Sequence, residues 1–322
     1  MSKRYAVISV GTNSTRLLLA DVEPENPRVE VARSTGTRIG EGLGERGHLA
    51  DEAMARTLDA IAQFQRAIRG HYVRLFAIST SALRRADNGE AFAQRVQEML
   101  GVPLRILSGE EEAIASYRGG LTAFGALRGE RSGVLDVGGG STEYAAGTST
   151  EPEAVISCEI GAVRLTEAVP ELRGAGGAVG EDAVERAREL AREALKPLAE
   201  QPAVERLAFV GGSATTTAAI VRGKRTLLQA FPLDLAALAR VLDMLVKMPL
   251  EERKGIEGMK PQRADILPAG IIVLETAMEL LKCEKAVATA ADLLLGVLLQ
   301  ERDAGQRNAA PAAPKARRGF RR

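Results

Sequence analysis

The feature that most constrains this chain of 322 residues is that it repeats itself. Val7-Ile8-Ser9-Val10-Gly11-Thr12-Asn13-Ser14-Thr15 aligns with Val134-Leu135-Asp136-Val137-Gly138-Gly139-Gly140-Ser141-Thr142 at an offset of 127, with apolar, glycine and hydroxyl positions in correspondence. A second pair, Leu75-Phe76-Ala77-Ile78-Ser79-Thr80-Ser81-Ala82 and Leu207-Ala208-Phe209-Val210-Gly211-Gly212-Ser213-Ala214, follows at an offset of 132. One such match is weak, because Gly, Ser and Thr mark turns of every kind. Two in the same order at nearly equal offset imply two related units. Each first segment reads as strand, small-residue turn and return strand, the pattern of a hairpin. The strands are predicted at 5–10 and 17–22, and again at 133–137 and 143–147.

Between and after the hairpins, helical spacing of apolar residues predicts helices over 51–69 and 91–100, with strands at 74–79 and 104–107. Ser108 and Glu111 stand at the spacing of a capping box, which opens another helix. In the second half, 181–198 reads as a charged amphipathic helix and 207–210 as a strand meeting Gly211-Gly212-Ser213. Asp234 is placed to cap a helix running to about 247, and helices follow near 264–281 and 290–301. Strands alternating with helices imply an α/β class. The expected organisation is two duplicated domains, 1–124 and 125–302, facing each other across a cleft, with the last helix packing back on the first domain. Residues 303–322 carry almost no apolar mass and read as a disordered basic tail.

Composition removes several classes of function. Aromatic residues make up 3% and Trp is absent, which leaves few stacking platforms for single-stranded nucleic acid. Net charge is +1, but residues 302–322 hold seven Lys/Arg and one acid, leaving −5 on the body. A mildly acidic body is no nucleic-acid surface, and no such partner is expected. No apolar run approaches the ~18 residues of a bilayer span, and the first strand is too short for a secretory leader. Cys158 and Cys283 make neither a disulfide framework nor a metal-ligand spacing, and His48 and His71 are the only histidines. The expectation is a cytoplasmic enzyme with no membrane partner.

The turns suggest the ligand. Backbone N–H groups and small hydroxyls on a turn without bulky side chains form a concavity suited to phosphate oxygens. Two facing units would bring the turns of Thr12, Asn13 and Ser14, of Gly138, Gly139, Gly140 and Ser141, and of Gly211, Gly212 and Ser213 around one cleft. Asp136 closes an apolar strand just before its turn, and Glu143 starts the return strand. Both carboxylates are candidate ligands for Mg²⁺ or another divalent cation, which takes oxygen donors. Glu110, Glu111 and Glu112 read from the residues alone as the acidic first turn of a helix, and Arg84 as a cation of either surface or site.

With these residues in view, the chain resembles the Ppx/GppA family of exopolyphosphatases and guanosine-pentaphosphate phosphohydrolases, members of the actin-like, duplicated ribonuclease-H-type superfamily. The resemblance runs from Val7 to about Leu299. It rests on Gly11-Thr12-Asn13-Ser14-Thr15-Arg16-Leu17, Thr80-Ser81-Ala82-Leu83-Arg84, Ser108-Gly109-Glu110-Glu111-Glu112-Ala113 and Leu135-Asp136-Val137-Gly138-Gly139-Gly140-Ser141-Thr142-Glu143. It continues through Gly161-Ala162-Val163-Arg164-Leu165-Thr166-Glu167, Gly211-Gly212-Ser213-Ala214-Thr215-Thr216 and Arg263-Ala264-Asp265-Ile266-Leu267-Pro268-Ala269-Gly270.

The resemblance implies that Glu112 is the catalytic base, that Arg84 holds the terminal phosphate, and that Asp136 and Glu143 support Mg²⁺ and the attacking water. It implies a homodimer acting on inorganic polyphosphate, with guanosine pentaphosphate, and so (p)ppGpp, as the alternative ligand. A sensor that binds such ligands without turnover is the alternative of another class. Two positions depart from the pattern. Ser9 replaces the usual Asp of the first strand, which leaves the ion to Asp136 and Glu143. Leu294-Leu295-Gly296 replaces an Arg-acid-Gly, which removes a charged pair from the expected cleft wall.

Overall fold

The computed structural model describes residues 3–23, 27–125, 129–224 and 229–309. The first half forms a sheet from β1 (Arg4–Val10), β2 (Thr15–Asp21), β3 (Arg28–Thr35), β4 (Arg74–Ser79) and β5 (Leu104–Ile106), in the order β3-β2-β1-β4-β5. Its helices are α1 (Leu43–Arg46), α2 (Asp51–Ile68), α3 (Ser81–Arg85), α4 (Gly89–Leu100) and α5 (Gly109–Leu121). The second half forms a sheet from β6 (Ser132–Val137), β7 (Thr142–Gly147), β8 (Ala154–Cys158), β9 (Arg206–Val210), β10 (Phe231–Asp234) and β11 (Lys285–Ala288), in the order β10-β11-β9-β6-β7-β8. Its helices are α6 (Ala162–Ala168), α7 (Glu181–Ala194), α8 (Gly211–Arg222), α9 (Leu235–Val246), α10 (Leu250–Lys254), α11 (Leu267–Leu280) and α12 (Leu293–Ala309).

The duplication holds at the level of register. β1 and β2 pair antiparallel with Val10 opposite Thr15, and β6 and β7 do the same with Val137 opposite Thr142. β1 runs parallel to β4 with Val7 beside Phe76, and β6 runs parallel to β9 with Val134 beside Ala208. These are the residues that the offsets of 127 and 132 superimpose. The architecture is α/β, two duplicated units with their equivalent turns facing each other.

Central strands β1 and β6 are buried along nearly their whole length because helices cover both faces. On one face of the first sheet, Ile8, Val10, Leu17 and Leu19 pack with Ile61 and Phe64 of α2 and Phe92 and Val96 of α4. On the other face, Tyr5, Val7 and Leu18 pack against Leu294, Leu295 and Leu298 of α12. Conversely, α5 sets Ala113, Tyr117 and Leu121 against Val134, Ala145 and Ala208 of the second sheet. The closing helix of each half therefore lies on the sheet of the other.

α5 and α12 cross at glycines. A Cβ on Gly296 would lie 1.7 Å from the Ala115 carbonyl oxygen, and one on Gly119 would lie 2.1 Å from that of Asp292. Only residues without a side chain permit backbones this close. Arg118 and Asp303 pair across the same interface.

Several elements differ from the sequence expectations. β3, β8, β10 and β11 have no predicted counterpart. β3 is exposed along almost its whole length, and its Arg28, Glu30 and Arg33 give the charged profile of an edge strand rather than a buried run. The helix expected over 181–198 ends at Ala194, and a 3-10 turn with Pro197 near its start follows. The helix expected from 264 begins at Leu267, after a 3-10 turn over Pro261–Arg263. The basic tail does not begin at 303, because α12 continues to Ala309 and Asp303 is tied to Arg118 and Arg302. The rest of that tail, 310–322, lies outside the described residues. No helix among the described residues is long and apolar enough to cross a membrane.

Candidate active site

The two hairpin turns are built alike and meet. Gly11 N donates to Ser14 O and Gly138 N donates to Ser141 O, each at 3.0 Å. Thr12, Asn13, Ser14 and Ser141 are buried. A Cβ on Gly140 would lie 2.7 Å from Ser81 Oγ and 3.0 Å from Thr12 Oγ1, and one on Gly139 would lie 3.0 Å from Thr12 Cβ. Gly139 and Gly140 are thus glycines because groups from the first half fill the space beside them. Ser81 Oγ is buried in this junction without a hydrogen-bond partner.

The third small-residue cluster is placed differently from expectation. Gly211-Gly212-Ser213 is the first turn of α8, not a loop. Gly211 has φ +87°, and a Cβ there would lie 2.6 Å from Asp136 Oδ1. Gly212 lies under the Arg263 guanidinium, 1.9 Å from a built Cβ to Cζ. Ser213 is turned to α11, where a Cβ on Gly270 would lie 2.3 Å from Ser213 Oγ. The glycines border the site, and the serine hydroxyl packs between helices.

Asp136 and Glu143 are directly opposed across the β6–β7 pair and so share a face of the sheet. Ser116 donates to Asp136 Oδ2 at 2.6 Å, and Ser157 donates to Glu143 Oε1 at 3.0 Å. Burial pushes Asp136 up to about 6; the Asp292 charge adds, while the Ser116 hydrogen bond and the charges of Arg16 and Arg263 oppose. Glu143 is raised well above the ordinary carboxylate range by burial, then by the charges of Glu112 and Asp136.

Glu112 reaches the site from the first turn of α5. That turn is fixed by the predicted capping box: Ser108 N donates to Glu111 Oε2 at 2.8 Å, and Glu111 N donates to Ser108 Oγ at 3.1 Å. With Glu111 engaged in the cap, Glu112 points inward and is 5% exposed. Arg84 Nη1 donates to Glu112 Oε1 at 2.5 Å and to Leu107 O at 2.6 Å. Burial raises Glu112 to about 7 against the hydrogen bond and charge of Arg84, with Asp136 and Glu159 adding. The carboxylates of Glu112, Asp136 and Glu143 therefore sense one another in one dehydrated space.

Among the described residues no group of three or more His, Cys, Asp or Glu side chains forms a metal cage. Asp136 and Glu143 nonetheless suit a hard cation. Mg²⁺ ordinarily takes one or two carboxylates and completes its shell with water and substrate oxygens. Two buried carboxylates held above their usual range are donors whose ionised form a cation would favour.

Three charged residues at the site received no role from the sequence. Arg16 is the duplicate of Glu143 at the 127-residue offset, as Ser9 is of Asp136, and Ser9 and Arg16 pair across β1–β2 as those acids pair across β6–β7. One hairpin presents a hydroxyl and a guanidinium where its copy presents two carboxylates. Arg16 Nη2 meets Asp292 Oδ2 at 2.5 Å. Arg263 is pulled down to about 10 by burial and by Arg16, with Asp136 and Asp265 opposing. The repeat itself was the signal for Arg16. Asp292 carried none, because its partner lies 276 residues away. Leu294 and Leu295, at the departure from the family pattern, sit in the apolar layer on the first sheet rather than in a charged cleft wall.

A cavity of about 570 Å³ lies elsewhere, at the edge of the first sheet beside Leu75, Phe76, Val102 and Val297. It gathers none of the buried carboxylates.

Known proteins resemble this chain in sequence and in fold. The model of the Ppx/GppA phosphatase family matches residues 20–302. Exopolyphosphatase 2 of Mycobacterium tuberculosis is 36% identical over 290 residues, covering 84% of this chain and 89% of that protein. Guanosine-5'-triphosphate,3'-diphosphate pyrophosphatase of Vibrio vulnificus is 30% identical over 88% of this chain and 56% of its own length. Among solved structures, an exopolyphosphatase from Cytophaga hutchinsonii superimposes with a TM-score of 0.84 at 27% identity, over 94% of this chain and 98% of that one. By sequence match and by the shared architecture, this chain belongs to the Ppx/GppA phosphatase family.

Proposed function

We propose that this chain is an exopolyphosphatase that releases terminal orthophosphate from inorganic polyphosphate by attack of water. The observation that carries the reading is a buried glutamate raised to about 7, gripped by an arginine and set beside two converging phosphate-type turns. A base poised near neutral pH both holds the ionised form and accepts a proton readily.

In this reading Glu112 accepts a proton from water as the water oxygen bonds to the terminal phosphorus. The bridging P–O bond breaks, and its electron pair leaves with the shortened chain. Arg84 and the backbone N–H groups of the turns at Thr12–Asn13–Ser14 and Gly138–Gly139–Gly140–Ser141 offset the charge on the equatorial oxygens. Gly211 and Gly212 make room for Asp136 and Arg263 beside the start of α8, and Arg16 and Arg263 supply further positive charge. Asp136 and Glu143 would hold Mg²⁺, which when bound lowers the charge of the phosphate oxygens and orients water. Enclosure at the turn junction strengthens each of these interactions by excluding solvent.

The Vibrio vulnificus relative favours a second reading, hydrolysis of guanosine pentaphosphate at the same site. Phosphate release from the two substrates, each with and without Mg²⁺, separates the readings. Release from neither, together with tight calorimetric binding, would replace both with a sensor. Glu112→Gln with full activity would remove the assigned base. Cytoplasmic placement and a homodimer belong to the same proposal, and sedimentation of the purified chain tests the dimer.

A further inference from the structure

We infer that Arg85 and Arg164, with the outer face of Arg84, form a subsite for a phosphate unit next to the terminal one that Arg84 holds, and that the carboxylate of Glu159 occupies this subsite until substrate displaces it. The inference rests on the phosphoanhydride reading above and names a binding element for it.

The group spans both halves of the fold. Arg84 and Arg85 end α3, Arg164 lies in α6, and Glu159 follows the last residue of β8. Glu159 Oε2 lies 2.5 Å from Arg164 Nη1 and 3.9 Å from Arg85 Nε, and its Oε1 lies 3.8 Å from Arg84 Nη2. Only the first of these is a hydrogen-bond length. The carboxylate lies near the other two guanidiniums without hydrogen-bonding them, and Arg84 Nη2 is buried with no hydrogen-bond partner. The cations also crowd one another. Arg85 is lowered by burial first and then by the charge of Arg164, with Glu159 and Glu167 opposing and Arg84 adding. Glu167 is committed elsewhere, accepting from Gly42 N at 2.7 Å.

Three arginines facing one planar, two-oxygen anion make an underfilled site. A phosphate unit brings more oxygens and more charge, and it matches guanidinium forks. Glu159 is weakly held, since 51% of its side chain is exposed and ion pairs so exposed contribute little. The subsite adjoins the chemistry through one side chain: Arg84 binds the base through Nη1 and faces Glu159 through Nη2. Glu159 has a competing structural role, as a latch between halves. The two roles predict opposite signs. Removing a stand-in charge strengthens substrate binding, whereas removing a latch weakens it or leaves it alone.

The test compares wild type with Glu159→Gln, Arg85→Ala, Arg164→Ala and Arg164→Lys. Steady-state phosphate release is measured, along with calorimetric titration with sodium tripolyphosphate and with long-chain polyphosphate. Glu159→Gln is expected to lower KM and Kd by about two- to fivefold, the scale of a half-exposed charge. Each Arg→Ala change should raise them about tenfold, as for a lost charge-assisted hydrogen bond, with kcat held within about threefold because the reacting atoms are untouched. Arg164→Lys, which keeps the charge without the fork, should fall between. Equal shifts with guanosine pentaphosphate assign the subsite to the shared phosphate chain, and shifts confined to polyphosphate assign it to the longer polymer. A higher or unchanged KM in Glu159→Gln, or unchanged KM and Kd in both Arg→Ala variants of an active enzyme, overturns the inference. Should wild type release no phosphate, the functional reading fails alone. Weaker tripolyphosphate binding by Arg164→Ala would then still support the subsite, and unaltered binding would refute it.

Discussion

Neutralising Asp136 should make the metal-free protein more stable while disabling it. The folded environment raises this carboxyl from 3.8 to about 6, burial being the main cause. The folded state thus holds the proton more tightly than the unfolded chain. Its contribution to stability is fully present below about pH 3.8 and is lost as pH rises through about 6. At pH 8 the buried, ionised carboxylate costs about 3 kcal/mol relative to an unfolded chain, at 1.36 kcal/mol per pH unit. Asp136→Asn removes that cost and retains an oxygen for the Ser116 hydroxyl. The new amide N–H groups need partners, which costs about 1 kcal/mol, so the net gain should be about 2 kcal/mol. Urea denaturation in EDTA at pH 8 and pH 5 reads it: the variant's midpoint should exceed that of wild type at pH 8, with the advantage cut to about a third at pH 5. Added Mg²⁺ should stabilise wild type and leave the variant nearly unchanged. A variant no more stable than wild type at pH 8, or an advantage independent of pH, would refute the electrostatic reasoning.

Other perturbations have equally definite outcomes. Glu112→Gln should lower kcat by about 10²- to 10⁴-fold, the usual range for a lost general base, in a phosphate-release assay. Because the base must be ionised, wild-type kcat/KM should rise with pH and level off above an inflection near 7. Arg84 holds Glu112 down by hydrogen bond and charge, so the residual activity of Arg84→Lys, whose cation lacks the fork, should show its inflection at higher pH. Gly296→Ala, whose Cβ would meet the Ala115 carbonyl oxygen at 1.7 Å, should destabilise by about 3 kcal/mol or more in thermal melts. Gly305→Ala in the same helix, with nothing nearer than 3.9 Å, should instead gain up to about 1 kcal/mol from helix propensity.

What the sequence determined by itself was whatever local chemistry enforces. Apolar runs broken by glycine and hydroxyl residues specify the two hairpins, since their hydrogen bonds close over a few residues, as between Gly11 and Ser14. Ser108 and Glu111 specify the start of α5 because a capping box satisfies its donors within a single turn. The repeat offset carried the equivalence of the hairpins down to the residue, and the strand ends flanking the second turn singled out Asp136 and Glu143. Glu112 and Arg84 were singled out only through resemblance, because an acid in a first helical turn and an arginine after a loop look ordinary on their own.

Tertiary structure alone decided what depends on distant groups. Arg16 finds Asp292 across most of the chain, and α5 and α12 exchange sheets through glycines whose spacing says nothing about each other. The charged edge strand β3 has no apolar period to betray it, because it buries almost nothing. Glu112 is written like its neighbours Glu110 and Glu111, yet the fold buries it and raises it to about 7. Hydrogen bonds within a turn are settled by adjacent residues. Dehydration and charge coupling are settled by whatever packs around a group, and that is fixed only when the two halves close on each other.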